Sequence, residues 1–553
     1  MVNCGLIVYI ASVCPALSAE IIPTPGVVLS PLEHARQAES VKPAPEIKSE
    51  PISRAVIHSE KRIHINDITF NGHSLFSQTE LRRVVQDKLS ADLTLNEIYE
   101  LADRVTRFYR NNGYILATAT VPAQKISDGN IVFEIIEGRL GTISFHGNTG
   151  YRSSWLAAQM DSLHLGSAVS PVIQVSRLEH ELLLLNDLPG IVAQAVIVPG
   201  AEFGQSDVRI NIREQKFNYT LQLDNYGRTG LGVPRLSGGV RVNNVVSEGD
   251  RIKFDGLVSS GTDVSYADIG YDVVSNHEGG RLGFDISRFD YDVDTARIGF
   301  SNAVNATLSG SGNNYKLFYK QPWVRQASDT RSVELALVRK ETDQSGTLAL
   351  DNKNNVSINL ASVSLDFERL NSASSHYFSM RLESNFNQGD KNIQGAKQVG
   401  KVTLDYKHLR PLYKRLSVML HGLVVYSPQP LADTERVRLG GPYSVRAYQS
   451  SEASGDYGWY ASADLFYAVP QYQIAMNSMA SRLGFFVDWG SVYDHTRLLG
   501  ERNHVALAGL GVGLDTSINS RYMLRVAIAT PVTNANSSDN KETRLWASVA
   551  MSY

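Results

Sequence analysis

Cysteine is nearly absent from this chain of 553 residues, and its scarcity limits the available chemistry. Cys4 and Cys14 both lie within residues 1–19, which have the features of a signal peptide. These features are the apolar core Leu6–Val13 and a small-residue cleavage site after it, although no Lys or Arg precedes the core. The mature chain would therefore contain no thiol. This excludes disulfides and thiolate-bound metals, and it is typical of an exported protein.

Long apolar runs and a large excess of one charge are also missing. Beyond the signal peptide no stretch of 18 or more apolar residues occurs, so we expect no membrane-spanning helix in the mature chain. The formal net charge of −3 indicates no nucleic-acid partner. The histidines lack the spacing of a metal site, and no nucleophile–base arrangement stands out. We therefore expect no metal, no cofactor and no enzymatic activity.

Residues 20–61 separate the signal peptide from the rest of the chain. They are polar and rich in proline, a composition typical of a flexible linker. Within them, Pro31–Glu39 begins with Ser30 as a potential cap and proline at the first helical position. This pattern predicts a short helix tethered by the linker.

A strand–helix–helix–strand–strand pattern occurs twice, at residues 62–138 and 139–215. Apolar spacing predicts the helices, as at Ile98, Leu101 and Val105, and alternation predicts the strands, as at Val208 and Ile210. The first copy has predicted elements at Ile63–Phe70, Gln78–Leu89, Leu95–Asn111, Ala117–Pro122 and Asn130–Glu137. The second copy has them at Gly141–His146, Arg152–Leu163, Pro171–Asp187, Val192–Val198 and Asp207–Glu214. Such repetition predicts two similar domains in tandem.

From Phe217 onward, apolar and polar residues alternate along successive short runs. This is the pattern of a strand that lies between lipid and a water-filled lumen. Sixteen runs are predicted, an even number as a bacterial outer-membrane barrel requires. They are Phe217–Asp224, Arg235–Asn243, Arg251–Ser259, Asp263–Val273, Gly280–Phe289, Asn313–Trp323, Arg331–Lys340, Val356–Arg369, His376–Phe386, Lys397–His408, Leu416–Tyr426, Trp459–Val469, Arg482–Tyr493, Val505–Thr516, Tyr522–Pro531 and Thr543–Tyr553.

A closed barrel accounts for these runs better than a water-soluble β-sandwich. The last run keeps its apolar residues on one face and ends on the aromatic Tyr553, and short connections alternate with longer ones. Segments of this kind can span lipid only if the sheet closes and leaves no unpaired edge. The predicted fold is mainly β, with two α+β domains before a 16-stranded transmembrane β-barrel at residues 216–553.

The longest connection, residues 427–458, is predicted to be a functional loop without regular structure. A Gly-Gly-Pro turn precedes a cation that is flanked by apolar and aromatic residues. The candidate residues are Gly440, Gly441, Pro442, Val445, Arg446, Ala447 and Tyr448. A second motif in the thirteenth run has Phe486, Asp488 and Gly490 on one face. This face should be luminal, because a charge in lipid costs roughly 2–4 kcal/mol at mid-depth, with less for carboxylates.

The repeated unit resembles polypeptide-transport-associated (POTRA) domains, through Asn112–Tyr114, Val121–Gln124 and Glu134–Gly138. The chain as a whole has two such units, sixteen alternating runs and Val-Arg-Ala-Tyr at residues 445–448. In this combination it resembles the TpsB transporters of two-partner secretion in the Omp85 superfamily. That family usually has glycine where this chain has Ala447, which resists positive φ, so we expect a local difference at the loop tip. The resemblance implies that the loop folds into the lumen and that Arg446 pairs with Asp488. The pair would stiffen the barrel, serve the transport-competent state, or do both.

The resemblance also implies a location in the bacterial outer membrane, with the POTRA domains in the periplasm. These domains would capture a secreted TpsA-type exoprotein at the strand edges Ala117–Pro122 and Val192–Val198, and the barrel would translocate it unfolded without nucleotide hydrolysis. The helix at Pro31–Glu39 would plug the resting pore. Outer-membrane lipid and the barrel assembly machinery are further expected partners. The alternatives are a barrel-assembly factor of the same superfamily, which usually carries more POTRA domains, and a passive porin, which has no reason to carry any.

Overall fold

A computed structural model describes residues 47–49, 61–126, 128–160, 163, 172–294, 307–346, 353–371, 373–386, 400–474, 477–495, 503–533 and 537–553. The predicted signal peptide and the predicted helix at Pro31–Glu39 lie outside these ranges. Within them, no helix has both the length and the apolar composition needed to cross a membrane. The described chain forms two small α+β units followed by a closed β-barrel.

The first unit packs two helices, Gln78–Val85 and Leu95–Asn111, against a three-stranded sheet. Each helix begins with a capping box, in which Ser77 or Thr94 exchanges hydrogen bonds with a glutamate three residues later. The first helix ends earlier than predicted, and the predicted strand Ile63–Phe70 is divided in two. The strands are β1 Ile47–Ser49, which precedes the unit, then β2 Arg62–Ile65, β3 Asp67–Asn71, β4 Ala91–Thr94, β5 Thr118–Thr120 and β6 Asn130–Ile136.

The second unit repeats this topology. Its strands are β7 Arg139–His146, β8 Ile191–Pro199 and β9 Gln205–Glu214, and its helices are Ser153–Gln159 and Val175–Asp187. In both units the last strand is central: β6 is parallel to β3 and antiparallel to β5, and β9 is parallel to β7 and antiparallel to β8. Strand β1 pairs in parallel with β8. The edge at Val192–Val198, which we expected to be open, is therefore already occupied.

The rest of the described chain forms the barrel, and β10 pairs with β28 to close it. The short strand β24 pairs beside β23 on β25, so the two form one span and the described barrel has sixteen. The fold class is as predicted. The strands are β10 Phe217–Asp224, β11 Arg235–Asn243, β12 Arg251–Ser259, β13 Val264–Val274, β14 Arg281–Asp292, β15 Ser309–Arg325, β16 Asp329–Ser345, β17 Lys353–Asn371, β18 Ser374–Asn385, β19 Gly400–Tyr413, β20 Leu416–Tyr426, β21 Val437–Leu439, β22 Ala453–Gly455, β23 Tyr457–Ala468, β24 Tyr472–Ile474, β25 Asn477–Tyr493, β26 His504–Ile518, β27 Tyr522–Pro531 and β28 Arg544–Ser552.

The two faces of the barrel wall differ in chemistry. Large apolar side chains such as Leu335, Leu337 and Leu382 are exposed on the outer face. The inner face carries charged side chains that pair across neighbouring strands, for example Lys316 Nζ at 2.6 Å from Glu334 Oε1. An apolar exterior with a charged interior is the arrangement of a barrel in lipid.

The second unit sits against one end of the barrel, here called the near end. Asp187 accepts two hydrogen bonds from the Arg325 guanidinium at 2.6 and 2.9 Å. On a different turn, Glu248 accepts 2.6 Å and 2.8 Å bonds from the backbone N–H and the Nη2 of Arg152. These bonds from Arg152 lower the pKa of Glu248 from its ordinary value. The unit is therefore fixed to the rim by two charged contacts. The opposite end is called the far end.

Candidate functional site

The long connection between β20 and β23 starts at the far end and folds inward. We expected this loop to lack regular structure, and this expectation was wrong. Within it, β21 and β22 pair as a hairpin and Asp433–Glu435 forms a 3₁₀ turn. Val445, Ala447 and Tyr448 at its tip are fully buried against Tyr460 and other residues of the inner wall. The loop is consequently part of the barrel interior.

Two glycines shape the turn that precedes the tip. Gly440 and Gly441 have φ values of +97° and +105°, which disfavour any residue with a Cβ. A Cβ on Gly440 would lie 2.3 Å from the Gln449 carbonyl oxygen. Pro442 follows at once, and Gly441 N–H donates to the Tyr448 carbonyl at 3.0 Å, which closes the turn. Ala447 does not have positive φ, so its Cβ causes no backbone strain at this position.

Arg446 lies between two carboxylates of the barrel wall. Its Nε and Nη2 donate to Asp488 Oδ2 and Oδ1 at 2.9 and 2.7 Å, and its backbone N–H donates to Oδ2 at 2.9 Å. Its Nη1 donates to Asp464 Oδ1 at 2.7 Å. Asp488 is fully buried and Asp464 nearly so. One guanidinium thus holds two acidic side chains from adjacent strands in the fork geometry that arginine favours.

Aromatic side chains complete the surroundings of Arg446. The guanidinium carbon lies 3.5 Å from the centre of the Phe486 ring, a close cation–π contact. Trp546 on the last strand donates from Nε1 to the Arg446 carbonyl at 2.7 Å. The predicted luminal face of β25 is present, since Phe486 and Asp488 are buried while Phe485 is exposed.

Small residues on the wall let the loop approach closely. A Cβ on Gly509 would lie 2.3 Å from the Ala447 Cβ, so these two positions share space for one methyl group. Gly490 has a similar function beside Leu439, whose methyl groups would lie 2.9 Å from a Cβ there. The Tyr448 hydroxyl lies 2.9 Å from Thr533 Oγ1, which ties the tip to a far-end connection.

A second charged contact holds the start of the loop. Glu435 Oε2 lies 2.6 Å from Lys401 Nζ on β19, and Glu435 Oε1 lies 2.9 Å from Lys340 Nζ on β16. Lys401 also pairs with Glu383 at 3.0 Å. The Glu435 side chain is fully buried. These ion pairs attach the loop to β16 and β19, whereas the Arg446 ion pairs attach it to β23 and β25.

Contacts with the far-end connections fix the part of the loop after the tip. Arg228 Nη1 donates to the carbonyls of Ser450 and Ser451, at 2.9 Å each. Glu452 accepts from the Ser538 backbone N–H at 2.7 Å. These residues come from both sides of the β10–β28 seam. The C-terminal Tyr553 stacks on Tyr219 at the near end of the same seam, with ring centroids 5.4 Å apart.

The sequence analysis missed several residues of the site, among them Asp464, Trp546 and Glu435. Asp464 had a usable signal, because it occupies a luminal position on β23 and lies opposite Phe486 in register. Trp546 alternates with the outward-facing Leu545, which also indicates an inward direction. Glu435 had no local signal, since its partners depend on the path of the loop.

A closed barrel with an apolar exterior, an inward-folded loop and two α+β units at one end defines an outer-membrane β-barrel protein. Residues 204–516 match the family described as haemolysin secretion/activation protein ShlB/FhaC/HecB, and residues 63–138 match its POTRA domain, ShlB-type. The chain belongs to this family. Its POTRA domains lie in the periplasm, so the near end of the barrel is periplasmic and the far end is extracellular.

Individual relatives agree with this assignment. The chain is similar to the heme/hemopexin transporter protein HuxB of Haemophilus influenzae (strain 86-028NP), with 22% identity over 488 residues that cover 86% of this chain and 84% of HuxB. It is similar to the outer membrane transporter CdiB of Dickeya dadantii (strain 3937), with 23% identity over 490 residues that cover 85% and 82%. The solved structure of CdiB from Escherichia coli shares the fold, with a TM-score of 0.69, 18% identity and coverage of 96% and 99%. The chain is thus a TpsB-type transporter, a class that exports secreted partner proteins.

Proposed function

We propose that this transporter captures an unfolded TpsA-type exoprotein in the periplasm and passes it through the barrel to the cell surface without nucleotide hydrolysis. Folding of the exoprotein outside the cell supplies the direction of transport. The observation that carries the proposal is the contact of Arg446 with Asp464 and Asp488 on the inner wall. A chain in transit and the docked loop compete for this wall, so the loop must leave it.

The chemistry of the loop contacts supports movement as well as stiffness. The attachment points are ion pairs and hydrogen bonds, which water and a passing chain can replace. Burying such a pair gains little net free energy, because desolvation offsets much of the attraction. Breaking one partner alone is costly, which gives a well-defined resting state. We therefore propose that the pair has both roles: it stiffens the resting barrel, and its release frees the wall for transport.

Capture is proposed at the strand edge of the first POTRA domain. Strand β5 is the outer strand of the β3–β6–β5 sheet, and its free side accepts no strand from the described residues. An extended segment can add there through backbone hydrogen bonds. Strand β8 of the second domain already pairs with β1. Because β5 has a free edge and β8 does not, we propose that the exoprotein first contacts the transporter at β5.

The test is the substitution Arg446→Ala in cells that express the transporter with its exoprotein. The barrel should still insert, because strand pairing does not depend on this side chain, while the secreted exoprotein falls by about tenfold or more. Arg288→Ala is the matched control, since its ion pair with Asp290 is half-exposed and weak. Normal export by Arg446→Ala would overturn the proposed role of the loop.

Deletion of the gene separates export from barrel assembly and from passive diffusion. Loss of one secreted protein with normal levels of other outer-membrane barrels supports export. General loss of barrels would point to an assembly factor, and a change confined to uptake of small solutes would point to a porin. For its own insertion, we propose that the barrel assembly machinery recognises the last strand and Tyr553.

A further inference from the structure

An aromatic row marks the depth of the membrane boundary on the outer face of β17, β18 and β19. Phe367 lies opposite Phe378 in register, and Phe378 lies opposite Tyr406. The Phe367 and Phe378 rings are 6.0 Å apart, and Trp323 contacts Phe367 at 5.7 Å. Aromatic girdles of this kind lie at the interface between hydrocarbon and headgroups.

A row of basic and imidazole side chains lies one step closer to the periplasm. Arg369 is opposite His376, and His376 is opposite His408, with the two imidazole rings 4.3 Å apart. Each is two residues from the aromatic row, so it has the same outward direction and lies about 7 Å further along the strand. Arg410 continues the row on β19 and is exposed. This depth is that of the lipid headgroups.

The turn between β19 and β20 adds two more cations at the rim. Tyr413 pairs with Leu416, so the connection consists of Lys414 and Arg415 alone. Lys414 has φ of +45°, as a tight turn requires, and its Nζ lies 5.0 Å from the centre of the Tyr413 ring. Leu412 and Tyr413 are 51% and 67% exposed. A short turn with exposed apolar side chains stays at the membrane surface.

The cations of this region lack a carboxylate partner within the described ranges. Among the described residues, no carboxylate forms an ion pair with Arg369, Arg410, Lys414 or Arg415. The acid that lies opposite Arg369 in register, Asp329, already accepts 3.0 and 2.6 Å bonds from Arg331. The second POTRA domain contacts the rim at Arg325 and Glu248, on other turns. Arg369 and Arg410 therefore face the surrounding lipid, and the two exposed cations of the turn lie next to them at the rim.

We propose that this basic rim, which consists of Arg369, His376, His408, Arg410, Lys414 and Arg415, binds the headgroup of an anionic phospholipid in the periplasmic leaflet. The phosphodiester accepts from the guanidinium groups, and the acyl chains lie along the aromatic row. Charge complementarity selects this occupant, because zwitterionic lipid neutralises cations less well. The inference depends on the membrane location of the barrel and not on the proposed transport cycle.

Native mass spectrometry of the full transporter tests the proposal. The protein is equilibrated in detergent with equal amounts of phosphatidylglycerol and phosphatidylcholine, and the retained lipids are counted. Wild type should retain phosphatidylglycerol preferentially, and high ionic strength should reduce that preference. The variant R410Q/K414Q/R415Q should lose it by about tenfold, because each cation near an anionic surface contributes severalfold to binding.

The matched control is R83Q/R107Q/R110Q, which neutralises three exposed cations on the helices of the first POTRA domain. It should retain lipid as wild type does. If the triple rim variant does not insert, Arg410→Gln alone provides the test, with a smaller loss in the same direction. Equal retention of both lipids by wild type, or unchanged preference in the rim variants, would overturn the proposal.

Discussion

The Glu435 carboxylate binds two lysines that lie on strands separated by two others, with Lys401 Nζ at 2.6 Å and Lys340 Nζ at 2.9 Å. The carboxylate comes from the loop and both ammonium groups come from the barrel wall. The wall strands β17 and β18 lie between the two lysines in the sheet. Glu435 therefore neutralises charges that would otherwise repel each other inside the barrel.

The first prediction concerns this contact. Glu435→Gln should destabilise the docked loop by about 3–5 kcal/mol, because Lys340 and Lys401 lose a shared, fully buried carboxylate and Glu383 remains as a partner of Lys401 alone. The loop should become more sensitive to an added protease, which peptide mapping of the full transporter can measure. Asp290→Asn, which breaks a half-exposed pair with Arg288, should leave the cleavage pattern unchanged. Equal protection in Glu435→Gln would show that the other contacts hold the loop without Glu435.

A second prediction ranks the two carboxylates at Arg446. Asp488 accepts three hydrogen bonds from Arg446 and Asp464 accepts one. Asp488→Asn should therefore cost about 3–5 kcal/mol of stability, and Asp464→Asn about 1–2 kcal/mol. Denaturant unfolding in detergent micelles measures both. The reverse order would mean that the single bond to Asp464 dominates.

The sequence predicted the fold well because the relevant signals are local. Alternation along a strand gives the face of each residue, so it is sufficient by itself to place Asp488 and Phe486 in the lumen. Helix caps such as Ser77 and Thr94 are also local, and the helix at Leu95–Asn111 has its predicted bounds.

The residues that were missed depend on contacts between distant parts of the chain. Asp464 becomes a partner of Arg446 only through the register of β23 with β25. Glu435 is a partner of Lys401 and Lys340 because of the path of the loop inside the closed barrel. The pairing of β1 with β8 depends on the path by which residues 47–49, which precede the first unit, reach the sheet of the second unit. Alternation gives the luminal direction of Asp464, but none of these contacts between distant segments has a motif in the sequence.

A third prediction uses the space shared by Ala447 and Gly509. Gly509→Ala should disturb docking of the loop tip, because its methyl would lie 2.3 Å from the Ala447 Cβ. Ala447→Gly in the same chain should restore docking, since one methyl then fills the space. Secretion and protease protection of the loop should fall in Gly509→Ala and recover in the double variant. Equal defects in both variants would place the effect elsewhere on β26.

The last prediction concerns Glu137, which organises the first POTRA domain in the periplasm. Burial opposes its ionisation, but hydrogen bonds from Ser74, from the Leu75 N–H at 2.9 Å and from the Tyr109 hydroxyl at 3.1 Å lower its pKa below the ordinary value. The charged form thus stabilises the fold. This stability is complete above the unfolded pKa of about 4.3 and is lost as the pH falls through the lower folded value.

Hydrogen exchange of the full transporter tests whether the first POTRA domain loses stability as the pH falls. Protection of the Ser74 and Leu75 amides should be high near neutral pH, after correction for intrinsic exchange rates, and should fall below about pH 4. Glu137→Gln should reduce that protection at neutral pH, by about 1.5–3 kcal/mol, and should remove its dependence on acid. Glu134→Gln on β6 is the control, because its side chain is partly exposed and takes no part in the contacts of Glu137, so its effect should be small. If acid lowers the protection equally in wild type and Glu137→Gln, a different carboxylate controls the stability of the domain.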